Sequence, residues 1–427
     1  MGSEMCIRDR FVSIKINING RLIMKKTIFS LIVGVLVLGL FYGCDRQSDQ
    51  TSTDEIKIGV ILGFTGPIES LTPTMASSAE LAMKEASDSG LLLGGATASA
   101  VRADSTCVDA GAATSAAERL VTSDNVAAIM GADCSGVTTA IANNVAVPNG
   151  VTMISPSATS PALTDIDDKG YFFRTAPSDA RQGQVLAQVV MDRGISELAV
   201  TYTNNDYGKG LSDSFVNAFK AMGGSVTTEV PHEDGKGDYS AEVSTLSASG
   251  AKEVAVLGYV DQGGRGIIQN SMETGAFSRF ILADGMIGDS LIENVDGDLT
   301  GTFGTLPGSE SEGANMFKSI ASSNGIPGDG PFEPESYDAA ALILLAIQAG
   351  NSADRSSIAQ NVMGVANAPG TEIFPGELGK ALQILKDGGQ VNYQGATNVE
   401  FSEVGEASGS YKELEIGNGK FNTVTVR

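Results

Sequence analysis

The chain has 427 residues, 42% hydrophobic and 19% charged, with 52 glycines and no tryptophan, which is enough for two domains that each bury a core. Lys+Arg 28 against Asp+Glu 51 leaves a formal charge of -23, and such a surface repels phosphate backbones and anionic lipid, excluding nucleic-acid binding through a basic patch. One histidine, His232, leaves no room for a His-rich metal site and makes any Ser-His or Cys-His catalytic device depend on a single residue.

Residues 1–23 precede a better start at Met24, fit no targeting pattern and read as an upstream extension outside the fold. Met24-Lys25-Lys26 is a positive opening, followed by the apolar run Thr27 to Gly39 and then Leu40-Phe41-Tyr42-Gly43-Cys44, the order of a signal peptide over 24–43. The uncharged stretch from Thr27 to Cys44 has the length of a spanning anchor as well. Gly43-Cys44 resembles a bacterial lipobox, although Phe41 and Tyr42 depart from its usual Leu and small residue. The expectation is lipidation of Cys44, with a spanning anchor or plain secretion as alternatives, and Asp45 resembles an inner-membrane retention signal. Residues 44–53 are polar and read as a tether. Cys107 and Cys134 then remain in an exported domain, where two cysteines predict a disulfide or, alternatively, two free buried thiols.

From Ile56 the pattern alternates. Strands are predicted at 56–62, 97–102, 126–130, 151–154, 198–202, 226–230, 254–257, 280–283 and 301–306, and helices at 73–86, 110–121, 136–147, 180–193, 208–222, 239–249, 264–274, 335–349 and 376–386. The tail from Val399 to Val426 reads as short strands with Gly turns. Alternation of this kind predicts an α/β fold of doubly wound parallel sheets, with ligands beyond the carboxyl ends of the strands.

Enzyme motifs do not emerge. Gly263-Gly264-Arg265-Gly266 opens a helix without GxGxxG spacing, and neither a P-loop nor a GxSxG elbow occurs. Asp165 to Gly170 fails as a calcium loop because its twelfth position is Ala176. His232, beside Glu233 and Asp234 in a Gly-rich stretch, reads as an exposed loop histidine. Three features are more informative. Cys134-Ser135-Gly136, between a strand and a helix, offers a hydroxyl and N–H groups to an anion, and Ser155-Pro156-Ser157-Ala158-Thr159 does so after the next strand. Both also fit ordinary capping and turn chemistry. Asp284 follows a strand at the ligand-binding edge, where a carboxylate could meet an ammonium group.

Together these residues resemble the type I periplasmic binding proteins of the leucine/isoleucine/valine transport class. Ile56 to Val60 with Phe64-Thr65-Gly66-Pro67, Cys107 with Cys134-Ser135, Ile154 to Thr159 with Pro161-Ala162-Leu163-Thr164, Phe173 to Ala176, Asp206 to Gly210 and Gly258-Tyr259 carry the resemblance. It implies two α/β lobes, 54–175 with 307–394 and 176–306 with 395–427, joined by crossings near 174–177, 306–308 and 393–398. It further implies a Cys107–Cys134 disulfide that fixes the Ser135 turn. Ser135, Ser157, Ala158 and Thr159 would meet the ligand from the first lobe, and Tyr207, Tyr259 and Asp284 from the second. Relatives often carry Glu at the Asp284 position, and Leu71 stands where some carry an aromatic residue over the ligand side chain. The implied function is a lipid-anchored, monomeric solute receptor, on the inner membrane's periplasmic face, that delivers an amino acid to an ABC importer permease without metal or cofactor. A sensing module for amino acids or small amides is the alternative.

Overall fold

The structure, a computed structural model, describes residues 54–427. The upstream extension, the signal peptide and the tether with Cys44 lie outside the described residues.

Two mostly parallel sheets organise the chain. The first contains β1 (Glu55–Leu62), β2 (Thr97–Asp104), β3 (Ala128–Gly131), β4 (Thr152–Ser155) and β5 (Phe172–Arg174) in the order β2-β1-β3-β4-β5, all parallel. β1, β3 and β4 are almost wholly buried, as continuous apolar runs covered by helices on both faces should be. The second sheet is built from β6 (Glu197–Thr203), β7 (Ser225–His232), β8 (Val254–Leu257), β9 (Phe280–Leu282), β10 (Phe303–Pro307), β13 (Tyr411–Gly417) and β14 (Lys420–Val426). Its order is β14-β13-β10-β9-β8-β6-β7, with β13 and β14 added as an antiparallel edge. β11 (Thr371–Ile373) and β12 (Val391–Tyr393) form a separate parallel pair.

The chain changes sheets three times. After Arg174 it enters α4 (Asp179–Asp192), which packs on β10 and β13. After Pro307 it returns through α9 (Glu312–Ser323) to α10 (Glu333–Ala349), which packs on α1 (Thr72–Asp88), β3 and β4. After Tyr393 it goes back to β13. α10 is buried from Glu333 to Gln348 apart from Pro334; a helix apolar around its whole circumference belongs inside a core.

Several expectations need adjusting. The predicted helix 136–147 is α3 (Ser135–Ile141) running into a wider π-type turn at Ala142–Ala146. β5, α9, α11 (Arg355–Ala366), β11 and β12 are additional elements. The tail is a hairpin whose turn, Asn418-Gly419, has φ of 56° and 71°; Asn-Gly is the sequence that tolerates two consecutive left-handed residues. His232 is not an exposed loop residue: it ends β7, 1% exposed, with Nδ1 2.8 Å from Thr201 Oγ1. Burial drives its pKa down to about 4, so the ring is neutral and packs edge-on to Tyr239.

Candidate functional site

The carboxyl ends of both sheets converge on a small, partly open cavity. From the first sheet's side come Asp133, Cys134 and Ser135 after β3 and Ser157 after β4. From the second come Tyr207 in the first turn of α5 (Asp206–Ala221), Tyr259 after β8, and Asp284 with Gly285 after β9. Asn205 caps α5 by accepting from Gly208 N at 3.0 Å, which fixes the turn bearing Tyr207. Ile68, Leu71, Met75 and Phe332 form the apolar lining. Phe332 sits at φ 59°, a left-handed conformation that a bulky residue adopts at a cost of about 1–3 kcal/mol, and it holds the cavity wall at the head of α10.

The first-sheet side is a set of braced turns. Cys107 and Cys134 are disulfide-bonded, with Cα atoms 5.1 Å apart. Buried Asp133 accepts from Gly63 N, from Ser105 Oγ at 3.0 Å and from Cys134 N at 2.9 Å, which ties the ends of β1 and β2 to the Ser135 turn. A side chain at Gly63 would approach Cys107 Cβ to 3.1 Å, close enough that these turns would have to give by a few tenths of an ångström. Ser135 Oγ accepts from Ser160 N at 3.1 Å, and Ser157 Oγ donates to the Asp133 carbonyl at 3.1 Å. Arg174, fully buried, donates to the Ala158 and Ser160 carbonyls at 3.1 and 2.8 Å and to Thr164 Oγ1 at 3.0 Å, and it pairs with Glu406. Sequence reasoning gave Asp133 no role and marked Arg174 only as part of the Phe173 to Ala176 match and of a crossing; both hold the turns that carry the predicted hydroxyls.

The second-sheet side is acidic. Tyr207 donates to Asp284 Oδ1 at 2.7 Å and accepts from Gly285 N at 3.1 Å, and its ring stacks on Tyr259 with centroids 5.1 Å apart. Burial pushes the Asp284 carboxyl up to about 6. Asp179, at the start of α4, is a second buried carboxyl within electrostatic reach; burial first, then the Asp284 charge, raises its pKa well above the usual range. The Asp179 carboxyl is buried, with the Thr159 hydroxyl beside it and the Arg174 charge within electrostatic reach. Asp179 is the residue that sequence reasoning missed. Its signal was a carboxylate directly behind the capping Ser178, where a helix favours negative charge whether or not a ligand binds.

Of the eight expected ligand residues, Leu71, Ser135, Ser157, Tyr207, Tyr259 and Asp284 line the cavity. Ala158 turns its carbonyl to Arg174, and Thr159 lies behind the lining beside Asp179. Among the described residues that line the cavity there is no Lys, Arg or His. Two buried carboxyls are costly even with the Arg174 charge within electrostatic reach of Asp179, whose pKa stays raised, and a ligand carrying a positive nitrogen would offset that cost.

The model of the periplasmic binding protein family matches residues 55–392. The Leu/Ile/Val-binding protein homolog 1 of Brucella melitensis is 29% identical over 349 residues, covering 79% of this chain and 88% of that protein. Among solved structures, the leucine binding protein LivK of Thermotoga maritima superposes with a TM-score of 0.73 at 24% identity, over 87% of this chain and 98% of that one. A solute binding protein of R. palustris in complex with 4-hydroxybenzoate superposes with a TM-score of 0.70 at 18% identity, over 88% and 97%. These two structural likenesses speak for the fold. The chain therefore belongs to the periplasmic binding proteins, with the type I fold, a family of extracytoplasmic substrate-binding proteins and not of enzymes.

Proposed function

We propose that the protein captures an amino acid zwitterion with an apolar, branched side chain and delivers it to an ABC importer permease. The two sheets with their helices, 54–175 with 307–394 and 176–306 with 395–427, act as lobes that close on the ligand. Cys44 carries a lipid that keeps a monomeric receptor on the periplasmic face of the inner membrane.

The observation that carries this reading is the buried acidic end of the cavity. Asp284, with Asp179 behind it, receives the ammonium group; the Ser135 hydroxyl receives the carboxylate, joined by Ser157 once its hydroxyl turns from the Asp133 carbonyl; Ile68, Leu71, Met75 and Phe332 enclose the side chain. The open form binds ligand on one side, and closure adds contacts from the other, so ligand shifts the equilibrium toward the closed state. An aromatic acid without an amine, such as the ligand of the R. palustris protein, would set its carboxylate beside an acidic end already short of positive charge.

A thermal-shift screen against amino acids, small amides and hydroxybenzoates tests the reading. A ligand bound only by the folded form at a hundred times its Kd stabilises by about 2.7 kcal/mol. Stabilisation by leucine, isoleucine or valine is expected; stabilisation by hydroxybenzoates alone would refute it.

A further inference from the structure

The loop 67–71 carries Ile68 and Leu71 into the cavity wall, and a polar cluster next to the cavity ties it to the opposite side. Asp261 N donates to the Pro67 carbonyl at 2.9 Å, and Ser70 N donates to Asp261 Oδ2 at 2.8 Å. Ser290 Oγ donates to Asp261 Oδ1 at 2.8 Å and lies 3.0 Å from Ser70 Oγ. Arg265 Nη2 holds the Asp261 carbonyl at 2.7 Å. Asp261 stands two residues after Tyr259 and just before α7 (Gly263–Thr274), so one short loop presents both a ligand-facing ring and this carboxylate. Ser70 is exposed, and Asp261 and Ser290 are half-buried; the cluster can break and re-form without stranding a buried charge. Asp261 does not line the ligand cavity.

We propose that Asp261 is a latch, a positioning residue that sets how long the closed complex lasts without choosing which ligand it holds. The proposal rests on the reading of the cavity as an amino acid site that closes. Contacts made across a gap exist only when its sides meet, so they weight the closed state. Losing them speeds reopening and ligand escape, whereas association with the open form is untouched. Because the carboxylate does not face the ligand, the factor is the same for every ligand. Of the carboxylate's two hydrogen bonds, the one from Ser70 N crosses the gap and the one from Ser290 Oγ lies within the second side; one hydrogen bond to a charged, half-exposed group corresponds to about a tenfold change.

Stopped-flow binding of leucine, isoleucine and valine to the full chain tests this. Asp261→Ala is expected to raise each dissociation rate about tenfold, to leave association rates and the ligand-free Tm unchanged, and to preserve the ligand ranking. Asp261→Asn, which keeps one acceptor oxygen, is expected to recover part of the loss. Unchanged dissociation, or association slowed by the same factor, or a changed ranking, would overturn the latch. Spin labels at exposed Lys84→Cys and Glu273→Cys give a readout independent of ligand identity: the short-distance population should shrink in Asp261→Ala, and an unchanged population refutes the latch. If the unaltered chain binds no amino acid, the reading of the cavity fails, and the latch is judged on these distances alone.

Discussion

The two walls of the cavity solve opposite problems. The first-sheet wall presents hydroxyls whose turns are already braced, by the Cys107–Cys134 bond, by Asp133 beneath the Ser135 turn and by Arg174 beneath 158–164. Nearly every polar group there has a partner within the protein, so the wall is stable without ligand. The second-sheet wall is the reverse. Asp284 has Tyr207 and the Gly285 turn, but no cation lines the cavity beside it, and the Thr159 hydroxyl and the Arg174 charge offset only part of the cost of burying Asp179. One wall is a prepared mould; the other stores a cost that the right ligand relieves. Selectivity for a positive nitrogen thus belongs to the second wall, and rigidity to the first.

The largest effect that separates the walls is expected from Asp284→Ala. Truncating one partner of a buried, hydrogen-bonded charge pair costs about 2–5 kcal/mol, so calorimetry should find affinity for leucine reduced by roughly a thousandfold, with folding intact. Unchanged affinity would remove the second wall from the account. The matching cut in the first wall is the disulfide. Cys107 and Cys134 are 27 residues apart, and in the chain-entropy model opening that loop costs about 3.5 kcal/mol. Cys107→Ser with Cys134→Ser should therefore lower stability in denaturant titrations by that order, while binding at saturating ligand survives.

Two smaller effects follow from titration. Ammonium binding requires ionised Asp284, whose carboxyl is raised to about 6 by burial. Affinity for leucine should be flat above that pH and fall below it, by at most about tenfold per pH unit; affinity that rises on acidification would contradict the pairing. Glu335 is a second buried carboxyl, 2% exposed and raised to about 8 by burial. A folded-state pKa above the unfolded one means that the native state binds the extra proton. Stability from this group is thus complete at low pH and lost as pH rises through about 8. Glu335→Gln should flatten that part of the profile in thermal melts from pH 5 to 8 and raise stability at the alkaline end by about 1–2 kcal/mol; an unchanged slope would show that Glu335 does not drive it.

Much of this was legible in the sequence, for identifiable reasons. Continuous apolar runs such as Ile56 to Leu62 and the helix at 335–349 mark buried strands and a core helix, and strand ends then point to Ser135, Ser157 and Asp284. The short pair β11 and β12 escaped because three-residue strands have no readable period. α9 and α11 are mixed in polarity and lie among Gly and Ser, which hides a helical stripe. Asp179, Asp133 and Arg174 were invisible as site residues because their roles depend on which distant turns they meet. His232 misled because its acidic, Gly-rich neighbours look like a loop while its own ring is packed under Thr201.

The central claim is that the acidic wall demands a positive nitrogen. Calorimetric titration with leucine and with 4-methylpentanoate, the same carbon skeleton without the amine, tests it most directly. The account predicts heat and saturation with leucine and no measurable binding of 4-methylpentanoate; equal affinity for the two would contradict it.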